Sequence, residues 1–168
     1  MHLARLFTSN LSVFGLIACL WLWFPAAAGA ADSLPLPRFV SLKSSEVNLR
    51  TGPGKRYPID WVYQRRGLPV EIIAEFDNWR RVRDSEGDVG WVHRALLSGR
   101  RSALVALPER IFLRAPEAGA QALFRAAPGV LVEIVSCDGV WCKVSHDDTK
   151  AWTKQGGLWG VYLGEVIE

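Results

Sequence analysis

Four short segments of this sequence occur twice, in the same order and about sixty residues apart. The pairs are residues 47–53 with 111–116, 70–73 with 132–135, 79–82 with 141–144, and 90–92 with 151–153. The offsets between the copies are 64, 62, 62 and 61 residues. Four ordered matches at nearly constant spacing indicate a duplicated unit, so the sequence predicts two tandem modules.

Each unit has the pattern of a small β-barrel. Its apolar segments are short, rich in β-branched and aromatic residues, and separated by turn signals such as Asp77-Asn78 and Asp138-Gly139. Beyond the N-terminal leader, residues 115–127 are the only candidate for a helical apolar period. We therefore predict an all-β chain. A unit of this size buries only about 60% of its unfolded surface, and the short link near Gly99 predicts that the modules pack together.

Residues 1–31 have the layout of a secretory signal peptide, with Arg5 in a basic start, an apolar run from Leu11, and small residues at Ala28 and Ala30. The apolar run is shorter than the roughly 20 residues of a membrane-spanning helix. We expect cleavage, a periplasmic protein, and no transmembrane segment afterwards. A lipoprotein signal ending at Cys19 is disfavoured, because cleavage there would leave an apolar segment at the mature N-terminus.

The first module, predicted at residues 38–99, resembles the bacterial SH3-like family. The motifs are Asn-Leu-Arg-Thr-Gly-Pro-Gly at 48–54, Pro58, Gly-Leu-Pro-Val-Glu at 67–71, Trp-x-x-Val at 79–82 and Gly-Trp-Val at 90–92. Residues 57–101 and 158–162 resemble exported alphaproteobacterial members that are named for the fold and not for an activity. The resemblance implies two tandem SH3-like barrels. The second module, at residues 102–168, diverges, because it lacks Gly-Pro-Gly after Arg114 and has Ala151 in place of a glycine.

Strand alternation identifies a candidate ligand-binding surface. Trp79 and Val82 are three positions apart, so they point to opposite faces of a strand. If Val82 faces the core, then Trp79, Arg81 and Arg83 face outward, and an outward Trp beside cations is a typical binding platform. The alternative is structural, with Trp79 and Trp141 facing each other between the modules or lying under the loop around Tyr57. The resemblance agrees with a binding role, since SH3-like domains carry an aromatic residue at this place.

The complete set of ligand-binding candidates is Arg50, Tyr57, Trp61, Trp79, Arg81 and Trp91. For Arg50 two interpretations stay open. Its planar guanidinium could tie the Gly52-Pro53-Gly54 loop to carbonyls or a carboxylate, or it could hold a ligand carboxylate.

Cys137 and Cys142 are the two cysteines that remain after signal removal, in an exported chain where disulfides persist. They flank a four-residue loop between two predicted strands, and the equivalent residues of the first module, Glu75 and Arg80, have complementary charges. We predict a structural disulfide, with a metal or redox role as the alternative. The His146-Asp147-Asp148 run falls between strands and is interpreted as a solvated loop.

The sequence favours binding over catalysis. It contains no Gly-x-Ser-x-Gly, His-Glu-x-x-His or Ser-x-x-Lys motif, and the two repeats fill nearly all of the mature chain, so we predict no enzyme, cofactor or metal site. Its formal net charge of +3 gives no support for nucleic-acid binding. We expect a module that binds an envelope ligand, peptidoglycan or a peptide, with a structural or protein-interaction subunit of an envelope assembly as the alternative.

Overall fold

The computed structural model describes residues 34–106 and 108–168, so the predicted signal peptide and Cys19 lie outside the described residues. Nearly all regular structure in these ranges is β-strand, as predicted. One turn of 3-10 helix, Arg94–Leu96, is the exception among the described residues. No helix in these two ranges is long and apolar enough to cross a membrane.

The first half of the chain forms one antiparallel sheet. Its strands are β1 (Arg38–Leu42), β2 (Val47–Arg50), β3 (Ile59–Tyr63), β4 (Pro69–Phe76), β5 (Trp79–Arg83), β6 (Val89–His93) and β7 (Leu97–Ser98). Their spatial order is β3-β2-β6-β5-β4-β1-β7. The sheet encloses a core of apolar side chains that includes Leu49, Val70, Ile72, Val82 and Val92.

The second half repeats this topology. Its strands are β8 (Ser102–Val105), β9 (Arg110–Leu113), β10 (Ala122–Ala126), β11 (Leu131–Asp138), β12 (Trp141–His146), β13 (Thr149–Lys154), β14 (Leu158–Trp159) and β15 (Val166–Ile167). The order is β10-β9-β13-β12-β11-β8-β14, and β15 pairs with β11. Residues 115–127, the only helix candidate, contain β10 and no helix. Two like sheets with separate cores confirm the all-β duplication.

The register of β9 differs from the alignment of the repeats. Trp91 pairs with Arg50 in the first sheet, whereas Trp152, the equivalent of Trp91, pairs with Leu113 and not with Arg114. Phe112 is fully buried at 0% exposure, while Leu113 is only half-buried. Aligning Leu113 with the buried Leu49 was therefore wrong by one residue, because the single large aromatic side chain of β9 fills the core.

Polar contacts join the two sheets. The hydroxyl of Tyr162 donates a 2.8 Å hydrogen bond to Glu71 Oε1, and Glu71 is only 3% exposed. Arg83 Nε donates to the other carboxylate oxygen at 2.9 Å. Ser102 Oγ donates to the carbonyl of Gly67 at 2.6 Å. The carboxylate of one module is thus held partly by the other.

Aromatic rings fill the rest of this boundary. Phe39 of β1 meets Trp159 edge-on at 5.2 Å and Tyr162 at 4.7 Å between ring centroids. At Gly160 the modules approach closely, because a Cβ there would lie 3.2 Å from the Pro69 Cβ atom of the first module. The modules therefore pack against each other, as the short link predicts.

Candidate functional site

The outer side of β5 and β6 carries two tryptophans, a histidine and an arginine. Val82 is completely buried, at 0% exposure, while Trp79 is half-buried and Arg81 exposed on the opposite face of β5. In the antiparallel register, Trp79 lies opposite His93 and Arg81 lies opposite Trp91. We call these four residues the first aromatic face. The structure therefore brings together three of the predicted ligand-binding residues, Trp79, Arg81 and Trp91.

The second module carries the same arrangement. Trp141 lies opposite Lys154, and Lys143 lies opposite Trp152, across β12 and β13. Each ammonium group is 5.7 Å from the centroid of the facing indole ring, which is cation–π distance. These four residues form the second aromatic face. Trp152 was not among the candidates, although the repeat itself equates it with Trp91.

The rings of the first face are fixed by their neighbours. Trp79 meets the His93 imidazole edge-on at 5.3 Å between centroids. Cross-strand partners of this kind hold each other in place and leave part of each ring open to solvent. A half-open indole offers a flat apolar surface and one N–H donor, beside the exposed guanidinium of Arg81. Such a surface can stack on a sugar ring or peptide plane and pair with a carboxylate.

Arg50, the last residue of β2, borders this face as the register partner of Trp91, and the loop that contains Tyr57 follows it. Arg50 Nη1 donates to the carbonyl oxygens of Tyr57 at 2.7 Å and Lys55 at 3.2 Å. The Tyr57 ring packs over Gly52, where a Cβ would lie 2.4 Å from ring atom Cδ1. These contacts favour the loop clasp over the ligand-carboxylate interpretation of Arg50.

Trp61 lies apart from the first aromatic face. It pairs in register with Leu49, whose side chain points to the core, and it is 58% exposed in the middle of the edge strand β3. It lines a separate cleft of about 570 Å³ together with Tyr63 and Asp84. The hydroxyl of Tyr63 donates to Asp84 Oδ2 at 2.9 Å. Burial and, to a lesser extent, this hydrogen bond raise the pKa of Tyr63 above its usual value.

The two cysteines are bonded to each other. Cys137 and Cys142 are cross-strand partners on β11 and β12, with Cα atoms 4.1 Å apart and both side chains buried. At the equivalent place in the first module, Arg80 Nε lies 3.1 Å from Glu75 Oε1. The predicted disulfide and the matching charge pair are both present, and the buried position fits a structural role.

His146 belongs to the end of β12 and not to a metal cluster. Its Nδ1 lies 3.1 Å from the carbonyl oxygen of Leu131, and Nε2 lies 3.6 Å from a carboxylate oxygen of Asp147. Within residues 34–106 and 108–168 no group of His, Cys, Asp and Glu side chains is placed to hold a metal ion.

The family model described as "Bacterial SH3 domain" matches the sequence twice, at residues 43–99 and 108–160. No curated protein matches it.

Among solved structures, NlpC2 from Trichomonas vaginalis is 13% identical with a TM-score of 0.34, covering 76% of this chain and 49% of that chain. An NlpC/P60 family protein from Bacillus cereus ATCC 10987 is 15% identical with a TM-score of 0.33, covering 72% of this chain and 55% of that chain. NlpC1 from Trichomonas vaginalis is 14% identical with a TM-score of 0.34, covering 77% and 48%. The chain spans about half the length of these structures, and similarity this low supports no functional argument.

Proposed function

The chain belongs to the bacterial SH3 domain family, and we propose that it is an exported, non-catalytic protein that binds peptidoglycan or a peptide of the cell envelope. The observation that carries this proposal is the duplication of one surface. Both modules carry two half-buried tryptophans on the same pair of strands, each opposite a nitrogen-bearing side chain. The side chains opposite the tryptophans are His93 and Arg81 in the first module and Lys154 and Lys143 in the second. Side chains that only filled a core would not need this outward, alternating placement.

The chemistry of the two faces fits a wall polymer. Peptidoglycan combines sugar rings, which stack on indoles, with short peptides, whose carboxylates pair with Arg81 or Lys143. Two such faces on one chain would bind a repeating polymer more tightly than either alone. Arg50 pairs with Trp91 in register and holds the loop that follows β2, so this loop lies beside the first face.

Retention on insoluble peptidoglycan sacculi tests this proposal. The purified mature protein is expected to sediment with the sacculi, and Trp79→Ala should weaken retention because it removes an aromatic anchor, by about 2 kcal/mol or roughly thirtyfold. Trp61→Ala is the matched control, since Trp61 is more exposed but lies outside both faces. Its retention should equal that of the wild type.

Because Trp79 packs against His93, a second variant guards against simple unfolding. Arg81→Gln changes an exposed charge on the same face, and we expect it to weaken retention while the thermal midpoint stays unchanged. A folded Trp79→Ala protein that binds sacculi as well as the wild type would exclude this face. If the wild type itself is not retained, peptidoglycan is not the ligand.

One surface favours a protein-interaction role as the second candidate. At the far end of the second module Val140, Leu163 and Val166 are 60%, 81% and 65% exposed. The Cγ2 atom of Val166 lies beside Gly139, next to Val140, so these apolar side chains share one end of the barrel. Crosslinking in the periplasm, with Leu163→Ser as the variant, would detect a protein partner at this end.

A further inference from the structure

A cleft of about 500 Å³ lies between the two modules, on a different part of the surface from both aromatic faces. One wall is formed by Lys43 and Arg66 from loops of the first module. The opposite wall is formed by Glu133 and Ser145 on β11 and β12 of the second module, and the link that contains Arg100 runs along the cleft. The fusion of two modules therefore creates a concave site that neither has alone.

Among the charged side chains that line the cleft, four cations (Lys43, Arg66, Arg100 and Arg101) outnumber two carboxylates, Glu133 and Asp147. Arg101 is neutralised by Glu165, with Nη1–Oε1 and Nη2–Oε2 distances of 2.6 and 3.0 Å. Arg100 is only loosely paired, since its Nη1 lies 3.9 Å from Glu133. Within the part of the chain that the structure describes, the side chains of Lys43 and Arg66 form no ion pair.

The walls of the cleft are held in place. Ser102, at the start of β8, donates to the carbonyl of Gly67, which adjoins Arg66. Arg101 Nη2 also donates to the carbonyl of Gly160 at 2.8 Å, which ties the link to the second module. These hydrogen bonds fix the backbone on both sides of the cleft, from which the exposed side chains of Lys43 and Arg66 extend.

We propose that this intermodule cleft binds a small ligand that carries oxyanion groups, carboxylate or phosphate. Lys43 and Arg66 supply the two principal charges, and Arg100 adds a third once it exchanges its weak contact with Glu133 for the ligand. The hydroxyl of Ser145 completes the polar lining. Lysine and arginine beside hydroxyl groups are the side chains that recognise such anions. This site is independent of the aromatic faces and does not rest on wall binding.

Isothermal titration calorimetry of the mature protein at low ionic strength tests the proposal. The probes are citrate and inorganic phosphate, in separate titrations, so that a preference for carboxylate or phosphate is measured directly. We expect the wild type to bind at least one of them. The double variant Lys43→Gln/Arg66→Gln should bind at least tenfold more weakly, with an unchanged thermal midpoint because both side chains are exposed.

A charge-matched control separates a specific site from general attraction. Lys55→Gln/Arg56→Gln removes the same net charge from an exposed loop outside the cleft and should leave the dissociation constant unchanged. Trp79→Ala should also leave it unchanged, so failure of the wall-binding proposal does not affect this one. Absence of binding by the wild type, or an equal loss in the two double variants, would overturn the cleft as an anion site.

Discussion

Replacing Tyr162 by Phe removes one hydroxyl group from the boundary between the modules. That hydroxyl donates the 2.8 Å hydrogen bond to Glu71, a carboxylate that is 3% exposed and belongs to the other module. The substitution keeps the ring and its contact with Phe39, so it tests the hydrogen bond alone. We expect the two modules to lose stability together, because the carboxylate lies on the first and its donor on the second.

The magnitude follows from the partners of Glu71. A hydrogen bond to a charged group contributes about 1.5–3 kcal/mol. Arg83 still holds the carboxylate after the substitution, which favours the lower part of this range, about 2 kcal/mol. With a urea m-value of about 2 kcal/mol/M, the unfolding midpoint should fall by about 1 M.

The assay is urea unfolding followed by tryptophan fluorescence and circular dichroism. Tyr57→Phe is the matched control, because its hydroxyl contacts only the exposed side chain of Arg56, and it should shift the free energy of unfolding by less than about 0.5 kcal/mol. Burial of the Tyr162 hydroxyl and, to a lesser extent, its hydrogen bond with Glu71 raise the pKa of Tyr162. The contribution of the Tyr162 hydroxyl to the free energy of unfolding should therefore be complete below about pH 10 and decline above it. Tyr162→Phe should reduce this decline. Equal stability of wild type and Tyr162→Phe would refute the argument.

Three further predictions concern stability. Cys142→Ser removes the disulfide to Cys137 and should lower the free energy of unfolding by about 2 kcal/mol. Reducing the wild-type protein should have a similar effect, and no change on reduction would exclude a stabilising role. Gly90→Ala places a Cβ 2.5 Å from Leu49 Cγ and should lower the free energy of unfolding in urea by about 1–3 kcal/mol. A neutral effect would show that β2 can move aside. Burial alone would raise the pKa of Glu165, but hydrogen bonds from Arg101 and a backbone amide outweigh it and lower the pKa. Its stabilising contribution should therefore be present above about pH 4.3 and decline as the pH falls through the lowered value. Glu165→Gln should flatten this decline in thermal midpoints measured against pH.

Local rules of the chain explain why much of the fold could be predicted. The side-chain period of a strand is two, so a buried Val82 forces Trp79 and Arg81 to the outside whatever the rest of the barrel does. A tight hairpin likewise places Cys137 opposite Cys142, since few residues separate them. Both predictions needed only neighbours in sequence.

Other parts of the candidate site could not be predicted from neighbouring residues. The displaced register of β9 depends on which aromatic side chain fills the barrel, and Phe112 could not be distinguished from Leu113 by pattern alone. Trp61 resembles the other tryptophans in sequence, yet a shift of register between Leu49 and Arg50 separates it from the face that contains Trp91. These outcomes depend on strand pairing between distant segments, where a one-residue slip reverses the facing of every side chain.

The sequence by itself determined the duplication, the all-β class, the outward tryptophan of β5 and the disulfide, because each follows from repetition or from alternation within a short segment. Only the tertiary structure decided how the modules meet. Tyr162 and Glu71 are 91 residues apart, and the cationic cleft is formed from loops of both modules. Such contacts depend on shape and burial across two folded surfaces, and no local pattern of residues encodes which surfaces will face each other.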